Sequence, residues 1–480
     1  MTRFLTIVPP LDRFPRLVRF AQTDLGKVCA VTTFGLLLFV FGAGWWLDTL
    51  MALLVVTFFP ALRQWIFMAA SFYWLLRFPG MRSHWTEEMG ELDSLFYVVV
   101  AGVFMFGFLA TWSIRRYQLS RPVAVLVVTF LSLLAIGSVW RLSPAGRLYF
   151  FVLTIVGHYF WYLAYSLHEA RMEKPTPYRY QVGYYYPFWA NIPGPAYVPI
   201  PKGASYIREI ECHDAEELAV VRLRGIKLLL WTMVLSAAVP VVRMLFWGER
   251  VPWVLPSPGS SISIDTFIRL LEMTQEGTQQ PVWKTWWMLC MSYLLATMDV
   301  TIKWGVVVAT CRMAGFRAFR TTYKPFHSRT LLEYWNRINY YVKELVTDLF
   351  FYPTFFRYFR NRPRLRLFTA TFAAAGLGNF LVQLFFRGAA FARDGFVPTI
   401  ESSLSYVVYS VLLGTGIGIS QLRVKRHAEL RHAGWFRRNV WSRICVQMFS
   451  LALFIFGVWL PPYRVTLQFH FILSLVGIRI

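Results

Sequence analysis

Two ionisable residues of opposite charge stand inside a long apolar run. Asp299 and Lys303 are four residues apart in the run Trp286–Ala309, so on a helix their side chains share one face. Charged side chains are costly inside a membrane and are normally paired there. The spacing therefore predicts either a structural ion pair or a polar contact on the wall of a ligand channel.

A second polar group follows at Glu333, Trp335 and Arg337. A guanidinium can form two parallel hydrogen bonds with a carboxylate or a phosphate, so Arg337 could hold a phosphorylated ligand. The alternative is an arginine that extends its charged end from a helix terminus toward the membrane surface.

Two histidines are candidates for proton transfer, since histidine titrates near neutral pH. His158 lies in the apolar run Leu148–Leu167, where it either takes part in chemistry or bonds to a neighbouring helix. His327 lies shortly before Trp335, either at the mouth of a cavity or as a solvated loop residue. The five cysteines have no metal-ligand spacing, and the sequence predicts no metal site.

Membrane helices are the elements that must position these residues. Of the 480 residues, 56% are hydrophobic and 15% are charged, whereas a soluble domain carries about 25% charged residues. Repeated apolar runs of roughly 18–20 residues match a hydrocarbon core of about 30 Å. Backbone polar groups must be satisfied inside each such run, so the fold class is all-α, a polytopic helical membrane protein with about 10 to 13 membrane segments. The clearest runs are Val28–Leu47, Leu95–Ile114, Val123–Trp140, Leu148–Leu167, Ile226–Leu245, Leu367–Phe386, Leu404–Ser420 and Cys445–Leu460.

The net charge is +24, and the distribution of the basic residues along the chain indicates the membrane topology. Arginines and lysines cluster in the short loops between apolar runs, which places both termini in the cytoplasm by the positive-inside rule. Anionic lipid headgroups are the partners expected for these loops, and nucleic acid is not expected. Residues 1–27 are predicted to form an interfacial segment, and residues 28–480 a single membrane domain. The aromatic, proline-containing stretch Tyr184–Pro201 is either re-entrant or a plain interfacial loop.

Several segments match family motifs in the right order. Pro193–Pro195 matches "AGP", Met298–Phe316 aligns with "FDFSGYSDMAIGLARMLGF", and Pro325–Arg337 aligns with "PYLSRSITEFWRR". Arg224–Leu230 and Phe350–Pro353 are similar to "RGL-LFLLG" and "DYLYIPL". Over about residues 180–460 the chain therefore resembles the membrane-bound O-acyltransferase family, which includes alginate O-acetyltransferase and the D-alanine transfer protein.

The family's histidines are replaced in this chain. The intramembrane histidine of the family's "GGLWHG" helix aligns with Asn379 in Ala375–Phe380, and the histidine of "WRRWH" aligns with Asn339. An asparagine amide cannot accept a proton near neutral pH, but it can orient a ligand or stabilise an oxyanion. The resemblance thus implies that Asn379 and Asn339 occupy the catalytic positions with altered chemistry.

The resemblance implies an enzyme that O-acylates a cell-surface polysaccharide or lipid in a bacterial inner membrane. Acyl-CoA or an acyl carrier protein would be the acyl donor, no cofactor would be bound, and a periplasmic or envelope partner protein would complete the transfer. The alternative is a catalytically inactive subunit that binds lipid or acts as a scaffold in a cell-envelope complex. A transporter would show internal repeats, and none is visible in the sequence. The residues expected at the substrate or carrier cavity are Asp299, Lys303, Glu333, Trp335, Arg337, His327 and His158.

Overall fold

The described chain is helical and contains no strand in the residues that the structure covers. In the computed structural model these are residues 8–63, 65–67, 69–70, 73, 102, 121–171, 202, 204–247, 262–277, 281–423, 435–457 and 465–478. They form two compact units. Unit 1 comprises Met1–Ser260 with Thr301–Thr321, and unit 2 comprises Ser261–Val300 with Thr322–Ile480.

Long apolar helices confirm the prediction of an all-α membrane protein. Within the described residues, five helices are long and apolar enough to span a membrane: Ala215–Met244, Val282–Met313, Pro363–Phe385, Leu404–Leu422 and Asn439–Gly457. A bent helix pair is a sixth candidate. The count of about 10 to 13 segments stays a prediction, since the stretch Tyr184–Pro201 and, apart from Gly102, the run Leu95–Ile114 lie outside the described residues.

The described helices of unit 1 are α1 (Pro15–Gln22), α2 (Asp24–Val40), α3 (Trp46–Phe58), α4 (Pro122–Gly137), α5 (Pro144–Arg171), α6 (Ala204–Glu209) and α7 (Ala215–Trp247). Unit 2 contains α8 (Ile262–Gln275), α10 (Leu331–Arg337), α11 (Tyr340–Val346), α12 (Tyr352–Arg357), α13 (Pro363–Phe372), α14 (Asn379–Phe385), α15 (Gly388–Asp394), α16 (Phe396–Glu401), α17 (Leu404–Leu422), α18 (Ser442–Gly457) and α19 (Val465–Leu475). Helix α9 (Val282–Met313) runs through both units. The single membrane domain over residues 28–480 stays a prediction, because the contacts divide the chain into two units.

The N-terminal segment of unit 1 turns sharply before the first long helix. Helices α1 and α2 meet at 102°, and the side chain of Thr23 caps α2 by accepting a hydrogen bond from the Gly26 amide over 3.1 Å. The buried residues Val18 and Ala21 of α1 pack against Ala219 and Leu223 of α7. A short helix turned away from a span is the geometry expected of an interfacial segment.

The predicted run Val28–Leu47 is broken in the structure, which corrects its assignment as one span. Helix α2 ends at Val40, and Gly42 follows with a φ of +77°. The amide of Ala43 donates to the Leu38 carbonyl and that of Gly42 to the Phe39 carbonyl, the two hydrogen bonds of a Schellman motif. The chain then reverses into α3, so the apolar run forms the first half of a helical hairpin.

The core of unit 2 is built on a helix with a π-helical turn. Helix α13, the π-helical turn Ala373–Gly378 and α14 form one continuous element, Pro363–Phe385. This element packs against α17, and a second π-helical turn, Thr347–Phe351, joins α11 to α12. Such turns insert an extra residue into the helical ladder and are frequent at functional sites.

Candidate functional site

Asn379 lies in the interior of unit 2. It is the first residue after the π-helical turn Ala373–Gly378, and its side chain is 2% exposed. Its Nδ2 donates a hydrogen bond to the hydroxyl oxygen of Tyr406 on α17 over 3.3 Å. The ring of Tyr406 stacks on that of Tyr409 with 4.7 Å between centroids. The amide is therefore held in place by a neighbouring helix.

Close backbone contact makes this hydrogen bond possible. A Cβ atom on Gly414 of α17 would lie 3.1 Å from both the Cα and the amide nitrogen of Gly376. A Cβ atom on Gly378 would lie 2.9 Å from the ring of Phe350. Small residues let helix backbones approach each other in membrane proteins. Gly376 and Gly414 thus allow the π-helical turn and α17 to meet, and Gly378 leaves room for the Phe350 ring.

Trp335 belongs to the segment Pro325–Arg337 and packs in the interior of unit 2. Its side chain is 6% exposed and packs in a hydrophobic cluster with Ala375, Leu413 and Leu453. Ala375 lies in the π-helical turn, four residues before Asn379. The structure therefore brings the segment Pro325–Arg337, which resembles a family motif, into one cluster with the segment Ala375–Phe380, in which Asn379 replaces the family's histidine.

Glu333 and Arg337 have structural partners within their own helix or directly before it. The side chain of Thr330 accepts a hydrogen bond from the Glu333 amide over 3.0 Å, which caps α10. One carboxylate oxygen of Glu333 accepts from the Arg329 amide over 2.8 Å, and the other accepts from Arg337 Nη2 over 2.6 Å. Glu333 thus neutralises Arg337, a partner that the spacing of four residues could have indicated.

Asn339 shapes the start of a helix. Its φ is +52°, in the left-handed region that asparagine tolerates better than most residues, and α11 begins at the next residue. Its Oδ1 is buried and has no hydrogen-bond partner among the residues that the structure describes. Asn339 is therefore a turn residue that also carries an unused acceptor.

The remaining predicted site residues are not gathered around Asn379 by any described contact. Asp299 and Lys303 are both half-buried on α9, but they belong to different compact units, so their ion pair stays a prediction. His327 is exposed in the short 3₁₀ turn Pro325–His327. His158 lies on α5, and its side chain is outside the described part.

Two tyrosines and a glutamine amide form a hydrogen-bond network that the sequence does not indicate. The hydroxyls of Tyr293 and Tyr334 are 2.8 Å apart, and the Tyr293 hydroxyl donates to Gln447 Oε1 over 3.1 Å. The amide Nε2 of Gln447 donates to the Pro325 carbonyl over 3.4 Å. These residues lie on different helices, and no spacing in the sequence indicates their meeting. Their hydroxyl and amide groups can orient a polar ligand group.

No described group of three or more His, Cys, Asp or Glu side chains is arranged to hold a metal ion. Comparison of the sequence with protein-family models and with curated proteins finds no match. The functional assignment therefore depends on the motif resemblance and on the geometry around Asn379.

Proposed function

We propose that this protein is an acyltransferase-like integral membrane protein whose unit 2 handles an acyl group in transfer to a polysaccharide or lipid hydroxyl. The supporting observation is the hydrophobic cluster that contains both Trp335 and Ala375, the latter one helical turn from Asn379. Two segments that are distant in sequence contribute to this cluster: one resembles a family motif, and the other aligns with the family's histidine helix but carries Asn379 in place of the histidine. A buried polar pair, Asn379 and Tyr406, lies beside them.

In the proposed reaction the acceptor oxygen attacks the carbonyl carbon of a thioester donor. The carbon–oxygen bond forms, the carbon–sulfur bond breaks, and the hydroxyl proton ends on the departing thiolate. Acyl-CoA or an acyl carrier protein would be the donor. Because asparagine cannot act as a general base, Asn379 would orient the acceptor or stabilise the oxyanion. Loss of general-base help typically lowers the rate by roughly 10²–10⁴-fold, so a slow enzyme is expected.

Transfer from labelled acyl-CoA to co-purified membrane glycolipids tests the proposal. Asn379→Ala should abolish the transfer, and Asn379→His should raise it by restoring a proton acceptor. Asn361→Ala is the matched control, because Asn361 is an exposed loop residue. Transfer that is unchanged in Asn379→Ala would refute the assigned role of this residue.

The alternative is a catalytically inactive subunit that binds lipid or serves as a scaffold for a cell-envelope complex. The 2% exposure of Asn379 favours it, because a side chain so buried and already hydrogen-bonded can act purely in helix packing. Absence of transfer with several acyl donors, together with lipid retained by the purified protein in native mass spectrometry, would support this reading. Capture of an envelope protein by cross-linking would identify the scaffold role.

The proposed setting is a bacterial inner membrane with both termini in the cytoplasm. The clustering of basic residues in short loops supports this orientation. Reporter fusions at each terminus test it: a reporter active only in the cytoplasm should be active at both ends. Activity of a periplasm-specific reporter at either end would overturn the orientation.

A further inference from the structure

An arginine is buried in unit 1 without a carboxylate hydrogen-bonded to it in the described chain. Arg222 of α7 is 2% exposed. Its Nε donates to the Met313 carbonyl over 3.1 Å, and its Nη2 donates to the Thr57 hydroxyl over 2.7 Å. Its Nη1 is buried and has no hydrogen-bond partner among the described residues. One strong donor of this guanidinium is thus unused.

A second buried guanidinium belongs to the same cluster. Arg63 is 7% exposed, and its Nη1 forms an ion pair with Glu211 over 2.5 Å. The guanidinium lies 5.6 Å from the centre of the Phe316 ring. Its Nε is also buried without a hydrogen-bond partner in the part of the chain that the structure covers. The positive charge of Arg63 acts directly on Arg222.

Among the residues that the structure describes, the charges of the cluster do not balance. Arg317 is paired with Glu217 over 2.8 Å, and Arg63 is paired with Glu211. Arg222 is thus the third cation beside two carboxylates. Cys212 cannot supply the missing negative charge. Burial and the charge of Glu217 raise the pKa of its thiol to about 12 in spite of the three neighbouring arginines. The thiol is therefore neutral near neutral pH.

A buried cation needs a counterion, because desolvation of an unpaired charge is costly. Guanidinium donors match the oxygens of a phosphate in geometry and charge. We propose that Arg222 and Arg63 form a binding site for a phosphate group, supplied by an anionic phospholipid headgroup or by free phosphate. The site lies where α7 begins and α9 ends, the side that the basic loops predict to be cytoplasmic. The proposal is independent of the function proposed for unit 2.

Thermal unfolding of the detergent-purified protein tests the site. Inorganic phosphate is compared with chloride at equal ionic strength, and short-chain phosphatidylglycerol with phosphatidylcholine. A higher midpoint with phosphate assigns the site to free phosphate. A rise with phosphatidylglycerol alone assigns it to a headgroup. No rise in either comparison overturns the proposal.

Variants separate this site from general charge effects. Arg222→Lys keeps the positive charge but loses the forked donors, and we expect about tenfold weaker apparent affinity. Arg224→Lys is the matched control, because Arg224 is 55% exposed and paired with Asp12. If Arg222→Lys does not fold, Arg63→Lys provides a second test with the same expected loss. Equal affinity in the wild type and in the variants that fold would refute the site.

Discussion

The side-chain amide of Asn379 donates a hydrogen bond to the hydroxyl oxygen of Tyr406, and both side chains are more than nine-tenths buried. The bond joins the residue after a π-helical turn to the neighbouring helix α17. The hydrogen bond therefore connects the end of the π-helical turn to α17, against which this helix packs. Stability and any ligand orientation at this position depend on the same pair.

Tyr406→Phe should destabilise the protein by about 1–3 kcal/mol, because it leaves the buried amide of Asn379 without this acceptor. Denaturant unfolding in mixed micelles measures the change. Tyr358→Phe is the control, since Tyr358 is 49% exposed. Equal stability of both variants would show that the hydrogen bond contributes nothing.

Gly414→Val should weaken the contact between α17 and the π-helical turn. A Cβ atom at Gly414 would lie 3.0 Å from the Phe372 ring and 3.1 Å from the Gly376 backbone, so a branched side chain must separate the helices. Overpacking of this kind costs about 1–3 kcal/mol. Thermal unfolding monitored by size-exclusion chromatography measures the loss. Gly44→Val is the comparison, because nothing lies within 4 Å of its added Cβ atom.

Thr330→Ala should cost about 1 kcal/mol, because the Glu333 amide loses its side-chain acceptor at the start of α10. Thr330→Ser keeps the hydroxyl and should stay close to the wild type. The free energy of unfolding in a denaturant series compares the three proteins. A serine variant as unstable as the alanine variant would point to lost methyl packing instead of a lost cap.

A double-mutant cycle on Glu333→Gln and Arg337→Gln should give a small coupling of about 0.3–1 kcal/mol. The pair is four residues apart on one helix and about one-third exposed, so solvent screens it. Acyl transfer by the single variants is the second readout. Loss of transfer in Arg337→Gln alone would show that Arg337 holds the carrier and would contradict a purely structural ion pair.

Contact of the N-terminal segment with α7 should loosen in acid. Burial raises the pKa of Asp12, but the hydrogen bond from Arg224 and the charges of Lys227 and Arg224 lower that pKa by more. A carboxyl group with a lowered pKa stabilises the fold above its unfolded pKa of about 3.9, and this is lost as the pH falls through the folded value. Hydrogen exchange of α1, corrected for intrinsic rates, should rise below about pH 4.

Asp12→Asn should show the same faster exchange of α1 already at pH 7, with little further change in acid. Asp24→Asn is the control in the same segment, because its carboxylate is 92% exposed. An acid response that persists in full in Asp12→Asn would assign the loosening to other groups.

Hydrophobic runs predict the helices well but not their ends. The run Ile226–Leu245 lies inside α7, which begins earlier at Ala215. The first turns of α7 carry Glu216, Glu217 and Arg222, so an apolar run does not include them. The break after Val40 depends on the conformation of Gly42, and hydropathy does not register backbone conformation.

The candidate site could be predicted only where its partners are close in sequence. The cap of Thr330 on Glu333 and the pairing of Glu333 with Arg337 follow from spacings of three and four residues. Tyr406 is 27 residues from Asn379, and nothing in the pattern of α17 indicates which face meets the π-helical turn. Contacts across helices depend on register and rotation, which one sequence does not encode in a local pattern.

The docking of α1 on α7 sets an order of events during synthesis. Val18 and Ala21 pack against Ala219 and Leu223, which are translated far later. At typical rates of 5–20 residues per second, the ribosome needs roughly 10–40 s between the two segments. Through that interval Ala219 and Leu223 cannot cover the apolar side of α1. The contact between α1 and α7 therefore forms only after the chain between these two helices has been synthesised.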